Sequence, residues 1–240
     1  MKILALLLHM LFPEKCLLCR KVLANGEIDL CKHCRCDNPV YTHRKSRPQF
    51  LDSFTAVWYY EGDVRSSLLR YKFGGRRSYA SGYGRLLAMH LQENCPDGFD
   101  ILTWIPISRR RRLKRGYDQV ELIARAAARE LGVKPVRLIR KIRHNPPQSG
   151  FRDSSQRRAN VLGAYKVLEP EQVVGKRILL LDDILTTGST ASECARILKT
   201  AGAREVHCAA MAATKVKVQC ESIALQLIAC PSSRPSGNRR

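Results

Sequence analysis

The chain has 240 residues, and its 42 lysines and arginines outnumber 21 aspartates and glutamates to leave a formal net charge of +21. Such a charge attracts nucleic acid and other polyanions at low salt. The length holds one full domain plus a small one, or a single large one, and no apolar stretch is long enough to cross a membrane as a helix.

In chain order, Ile3, Leu4, Leu7, Leu8 and Leu11 recur at helical spacing in residues 1–12, which predicts a short docking helix able to touch a membrane surface peripherally. The segment lacks a small-residue cleavage site and runs directly into Pro13, so it does not read as a signal peptide. Next come two pairs, Cys16-Leu-Leu-Cys19 and Cys31-Lys-His-Cys34. Each CxxC lets two thiolates reach one tetrahedral ion, so Cys16, Cys19, Cys31 and Cys34 form the four-ligand set of a structural zinc. Two disulfides are the weaker reading, because the other cysteines are scattered and no secretory signal precedes them; a reducing, cytoplasmic setting is expected. Four thiolates leave no open coordination position, which makes the knuckle structural or a docking surface.

Residues 37–48 are polar and basic and read as a linker closing a 1–48 module. A strand is expected over 56–60, then helices over 64–71 and 79–92, the second with Leu86, Leu87 and Met89 turned to one side. A core strand over 99–107 is followed by Ser108 and the basic run Arg109 to Arg112, then by Arg115-Gly116-Tyr117-Asp118-Gln119, which opens an amphipathic helix ended by Gly132. Arginines on the rim of a parallel sheet supply countercharge for a pyrophosphate, with Ser108, Arg109, Arg110 and Arg115 as the candidate contacts. A solvated basic run or a nucleic-acid patch would look the same in sequence. Residues 141–158 have no apolar period and read as an exposed lid-like loop.

The most informative stretch is Ile178-Leu-Leu-Leu-Asp182-Asp183-Ile-Leu-Thr186-Thr187-Gly188-Ser189-Thr190. A short apolar run predicts a buried parallel strand with both carboxylates at its carboxyl end, the edge where ligands bind in open α/β sheets. Thr190 with Glu193 three residues on predicts a capping box for the next helix, which stops at Gly202. The loop of residues 186–190 then lies at a helix N-terminus, a cradle for phosphate. The carboxylates would face sugar hydroxyls or a bridging magnesium rather than the phosphate they repel. No Walker-type P-loop is present. A last strand is expected over 206–213, and residues 231–240 form a basic, disordered tail.

Residues 178–190 resemble the phosphoribosyl pyrophosphate (PRPP) motif of type I phosphoribosyltransferases. By that resemblance Asp182 and Asp183 hold ribose hydroxyls and Thr186, Thr187, Gly188, Ser189 and Thr190 the 5-phosphate, with magnesium accompanying PRPP. The whole chain is similar to the ComF family of competence-related proteins. The shared features are Leu11-Phe-Pro and the cysteine pairs, Tyr60-Glu-Gly, Lys72, Pro106, Arg115 to Gln119, Gln148, Arg157, Asn160, Gly163-Ala-Tyr and the Asp182–Thr190 segment; Asp118 stands where asparagine is expected in many relatives. The resemblance implies an α/β, type I phosphoribosyltransferase-like parallel sheet flanked by helices over 49–230, joined to the small zinc module. It also implies a role in DNA uptake or use of external DNA, with single-stranded DNA and a DNA-translocating helicase as partners. Transfer of ribose 5-phosphate from PRPP to a nitrogen acceptor is the alternative function.

Overall fold

The fold is built around a nine-residue strand whose first half is a continuous apolar run. In a computed structural model that describes residues 13–42, 48–95, 98–143 and 159–215, this strand, Arg177–Leu185, lies second from one edge of a four-stranded sheet. The elements, in order, are α1 (Lys32–Asp37), β1 (Ser53–Tyr59), α2 (Gly62–Phe73), α3 (Tyr79–Asn94), β2 (Ile101–Trp104), α4 (Arg109–Arg115), α5 (Gln119–Glu130), β3 (Ile139–Lys141), β4 (Tyr165–Val167), β5 (Arg177–Leu185), α6 (Ser189–Thr200) and β6 (Glu205–Ala213). The sheet order is β1-β6-β5-β2, with every pair parallel, and β3 and β4 form a separate antiparallel pair. The expected docking helix over 1–12, the lid residues 144–158, the tail, and Cys220 and Cys230 lie outside the described residues.

Because side chains alternate along a strand, β5 feeds two cores. Leu179 and Leu181 join the layer under α2, α3 and α5, where Leu68, Tyr71, Tyr83, Leu87 and Ile123 are buried. Ile178 and Leu180 join the layer under α6 and the β3/β4 pair, with Ile139, Cys194 and Leu198. Alternation in β6 does the same, with Met211 on the first side and Cys208 and Ala210 on the second. Burial on both faces is why the strand reads as an unbroken apolar run rather than as an alternating one.

Several expectations shift in detail. Met89 is 52% exposed; α3 packs through Tyr83, Leu87, Ala88 and Leu91, leaving Met89 on the far side. The strand expected over 99–107 pairs only across 101–104 before the chain leaves the sheet near Pro106. The basic run is a helix, α4, rather than an open loop. The polar segment after α1 lies along the edge of β1, where Tyr41 N donates to Val57 O and Tyr59 N to Pro39 O.

α3 and α5 cross closely, and Gly84 permits it: a Cβ there would lie 2.3 Å from Ala126 Cβ and 2.7 Å from the Ala127 backbone nitrogen. Replacing a helical glycine by alanine ordinarily stabilises by about 0.5–1 kcal/mol. Here the helices must move apart, so Gly84→Ala is expected to destabilise the fold by about 1–3 kcal/mol, read as a lower Tm in a thermal melt.

Candidate functional site

Asp182 and Asp183 both line a cavity of about 560 Å³ at the carboxyl edge of β5 and β2. Strand alternation sends them to opposite faces. Asp183 turns to the α2/α5 side, where Lys72 Nζ pairs with its Oδ1 at 2.9 Å and Gln119 Nε2 donates to its Oδ2 at 3.0 Å. Asp182 turns to the α6 and β3/β4 side, and its Oδ1 accepts the Asp183 amide at 2.8 Å. Burial and the neighbouring Asp183 charge push its pKa up to about 8, against the pull of Lys72. The pair is therefore one carboxylate held by a cation and one whose proton is retained near neutral pH.

Thr186 and Thr190 line the same cavity. Between them, the Thr187 and Ser189 hydroxyls bond each other at 2.7 Å, and Gly188 is left-handed at φ 74°. A Cβ on Gly188 would meet Pro48 at 2.4 Å, so the turn needs glycine for space as well as for conformation. Gly188, rather than Thr190, is the N-cap of α6, and the expected capping box does not form. Glu193 is occupied elsewhere: its Oε1 accepts the Gly163 amide at 2.9 Å, and Arg196 holds it through both carboxylate oxygens.

Opposite this loop, Ser108 caps α4, its Oγ accepting the Arg111 amide at 3.4 Å. Arg111 and Arg115, one helical turn apart, line the cavity. Arg109 and Arg110 are exposed and are not among the lining residues. Asp118 is 5% exposed and accepts the amides of Ile107, Val120 and Glu121, which makes it the cap of α5.

Lys141, Arg111 and Gln119 line the cavity without belonging to the sequence-derived site. Lys141, at the end of β3, donates to the Tyr165 hydroxyl at 3.1 Å; burial, reinforced by Arg111, lowers its pKa to about 8. Arg111 sat in the basic run without being singled out, although its i, i+4 relation to Arg115 marks one helix face. Gln119 is 3% exposed, and its Oε1 has no hydrogen-bond partner among the described residues, an acceptor left over at the cavity wall.

In the knuckle, the Sγ atoms of Cys16, Cys19, Cys31 and Cys34 all lie within 4.8 Å of one another, with Cys19 and Cys31 at 3.6 Å. Tetrahedral zinc with bonds of about 2.3 Å requires sulfurs about 3.8 Å apart, so the geometry fits. Burial opposes ionisation of Cys16, yet amide donors of Cys31, Cys19 and Leu18 bring its thiol down to about 7. Burial and the adjacent sulfurs push Cys34 well up. Crowding that one thiolate inflicts on the others is relieved by a shared dication. The knuckle is docked rather than free: Ser67 and Arg70 of α2 donate to the Leu17 and Leu18 carbonyls, and Arg85 of α3 grips Asp29 at 2.6 and 2.8 Å.

The family described as a phosphoribosyl transferase domain matches residues 121–221. Competence protein F of Haemophilus influenzae is 23% identical over 83% of this chain and 90% of its own length. The DNA utilization protein YhgH of Escherichia coli K12 is 27% identical over 81% and 95%, and competence protein ComFC of Streptococcus pneumoniae 26% over 80% and 96%. Among solved structures, a glutamine PRPP amidotransferase from B. subtilis aligns with a TM-score of 0.42 and 21% identity, covering 60% of this chain and 30% of that one.

Two outcomes follow. Purified chain is expected to carry one zinc by elemental analysis, and stripping it with a chelator, or Cys16→Ser, lowers Tm by loosening the segment that α2 and α3 hold. For Asp182, the folded pKa lies above the unfolded value near 4, so its stabilising contribution is complete below pH 4 and is lost as pH rises to about 8. Asp182→Asn therefore stabilises the ligand-free protein at pH 8 by on the order of 1–2 kcal/mol, a rise of a few degrees in Tm, and the gain shrinks toward pH 5.

Proposed function

Taking this chain as a ComF-family protein with a phosphoribosyl transferase domain, we propose that it binds PRPP with magnesium in the β5 rim cavity and acts in DNA uptake or the use of external DNA. The observation that carries the reading is that one cavity gathers the carboxylates of Asp182 and Asp183, the orphan acceptor of Gln119, the hydroxyls of Thr186 and Thr190, and the cations Lys72, Arg111, Arg115 and Lys141. A ribose bearing phosphates at both ends offers hydroxyls to the acids and phosphates to the cations.

In this reading Asp183 and the Gln119 Oε1 accept from the ribose hydroxyls, with Lys72 and Gln119 Nε2 holding the carboxylate in place. Thr186, Thr190 and the amides opening α6 take the 5-phosphate, since unpaired N–H groups at a helix start favour an anion. Arg111, Arg115 and Lys141 take the pyrophosphate end. Asp182 would hold the magnesium that accompanies PRPP, and the ion would supply charge neutralisation of the pyrophosphate. Engaging the cation costs Asp182 its proton, so binding releases protons near neutral pH.

The DNA role rests on the names of the relatives and on the net charge of +21. Single-stranded DNA would run over the basic surface, mostly through its phosphates, giving an affinity that falls steeply with salt. A DNA-translocating partner would fit such a role. Transfer of the phosphoribosyl group to a nitrogen acceptor is the further step this site would support, with Arg111 and Arg115 stabilising the departing pyrophosphate.

Calorimetric titration of PRPP with magnesium into the zinc-loaded protein tests the reading. Binding is expected, with proton release below pH 8, and Asp182→Asn/Asp183→Asn is expected to abolish it. No heat with the wild type, at a protein concentration where the fold is intact, overturns it. Pyrophosphate release on adding a nitrogenous base would extend the reading to a transferase.

A further inference from the structure

Phe73 ends α2 at the mouth of the cavity, and its ring is 70% exposed. It buries too little to be needed for the core. The Cζ of Arg115 lies 4.8 Å over the ring centroid, so one face is backed by a guanidinium, and the high exposure leaves the other face to solvent. Nor is the ring on a loose loop: it belongs to the last turn of a regular helix, closed by the Gly74 amide on the Arg70 carbonyl at 2.7 Å. Leu69, one turn earlier, lines the same mouth and extends the apolar lip. Lys72, the preceding residue, points inward to Asp183.

An outward aromatic with a cation behind it, set beside a cavity lined by Arg65, Arg111, Arg115 and Lys141, matches one ligand chemistry: a planar, electron-poor ring covalently linked to phosphate. Base–aromatic stacking with an arginine on the opposite face is tolerant of sequence and adds to phosphate contacts. We propose that Phe73, backed by Arg115, is a stacking platform for a nucleobase whose phosphates lie on the adjoining cationic rim. The proposal depends on the reading above only for the phosphate end of the ligand. The base comes from a single-stranded oligonucleotide or from a free nucleotide, and the two are separable by experiment.

The test uses full-length Phe73→Trp protein, because the native Trp58 and Trp104 are buried and leave position 73 as the exposed fluorophore among the described residues. It is titrated with oligothymidylate, with an abasic oligomer of equal length, and with thymidine 5′-monophosphate. Quenching by the oligothymidylate or by the nucleotide, and none by the abasic oligomer, is the expected result. Quenching by the mononucleotide assigns the platform to free nucleotides; quenching by the oligomer alone assigns it to a strand. In parallel, Phe73→Ala is expected to weaken the quenching probe about tenfold. The same variant should leave abasic-oligomer and PRPP affinities unchanged, and Phe73→Tyr should restore binding. Equal loss of abasic and base-bearing probes, or no quenching by any base-bearing probe, overturns the proposal. PRPP heats that vanish while quenching persists would instead count against the PRPP reading alone.

Discussion

Everything at the rim follows from the two-residue period of β5. Two adjacent carboxylates on a strand cannot share an environment, because consecutive side chains leave opposite faces of the sheet. Asp183 therefore falls to the α2/α5 layer, where Lys72 and Gln119 compensate it, and Asp182 to the other layer, where it lies near Lys141 and the buried thiols of Cys194 and Cys208. Charge at Asp183 is paired; at Asp182, burial holds the carboxyl protonated near neutral pH. Removing a partner from a buried pair is far more costly than the pair is worth in isolation, which makes Lys72 part of the fold as well as of the site.

α2 is the element through which the distant parts meet. Its middle holds the cysteine knuckle through Ser67 and Arg70, its last turn supplies Lys72 and Phe73, and Tyr71 between them donates to the Gln119 carbonyl at 2.8 Å. Knuckle, carboxylate and cavity mouth are thus fixed to one rigid helix. The cysteine knuckle, which contributes no lining residue to the cavity, still positions it, because its buried residues belong to the same hydrophobic cluster as α2, α3 and α5. The boundary drawn near residue 48 accordingly separates stretches of sequence that share a core.

The positive charge of the chain is not spread at random around this site. α4 puts Arg111 and Arg115 on its cavity side and leaves Arg109 and Arg110 in solvent. Asp118, just after α4, is buried and spent on three backbone amides, which keeps its carboxylate off the arginine-bearing surface while starting α5. That role explains how aspartate is accommodated beside a cluster of arginines: amide donors satisfy it locally.

The cysteine knuckle, the central strand, the carboxylate pair and the glycine-bearing loop before α6 were legible in the sequence, because each depends on spacing within a few residues: two ligands per CxxC, an apolar run of fixed length, a turn that only glycine enters. The cap of α6 was misplaced by two residues, since Glu193 finds its donors in Gly163 and Arg196, one of them thirty positions away in sequence. Gln119, Lys141 and Phe73 carried no local mark of function; their roles arise from what stands opposite them once the chain is folded. Local chemistry, set by neighbours along the chain, was decided by sequence alone. Which side chains face one another across the cavity, and hence which carboxylate is paired and which arginines point inward, was decided only by the packing of α2, α4 and α5 against the sheet, because those contacts join residues whose separation in sequence bears no relation to their distance in space.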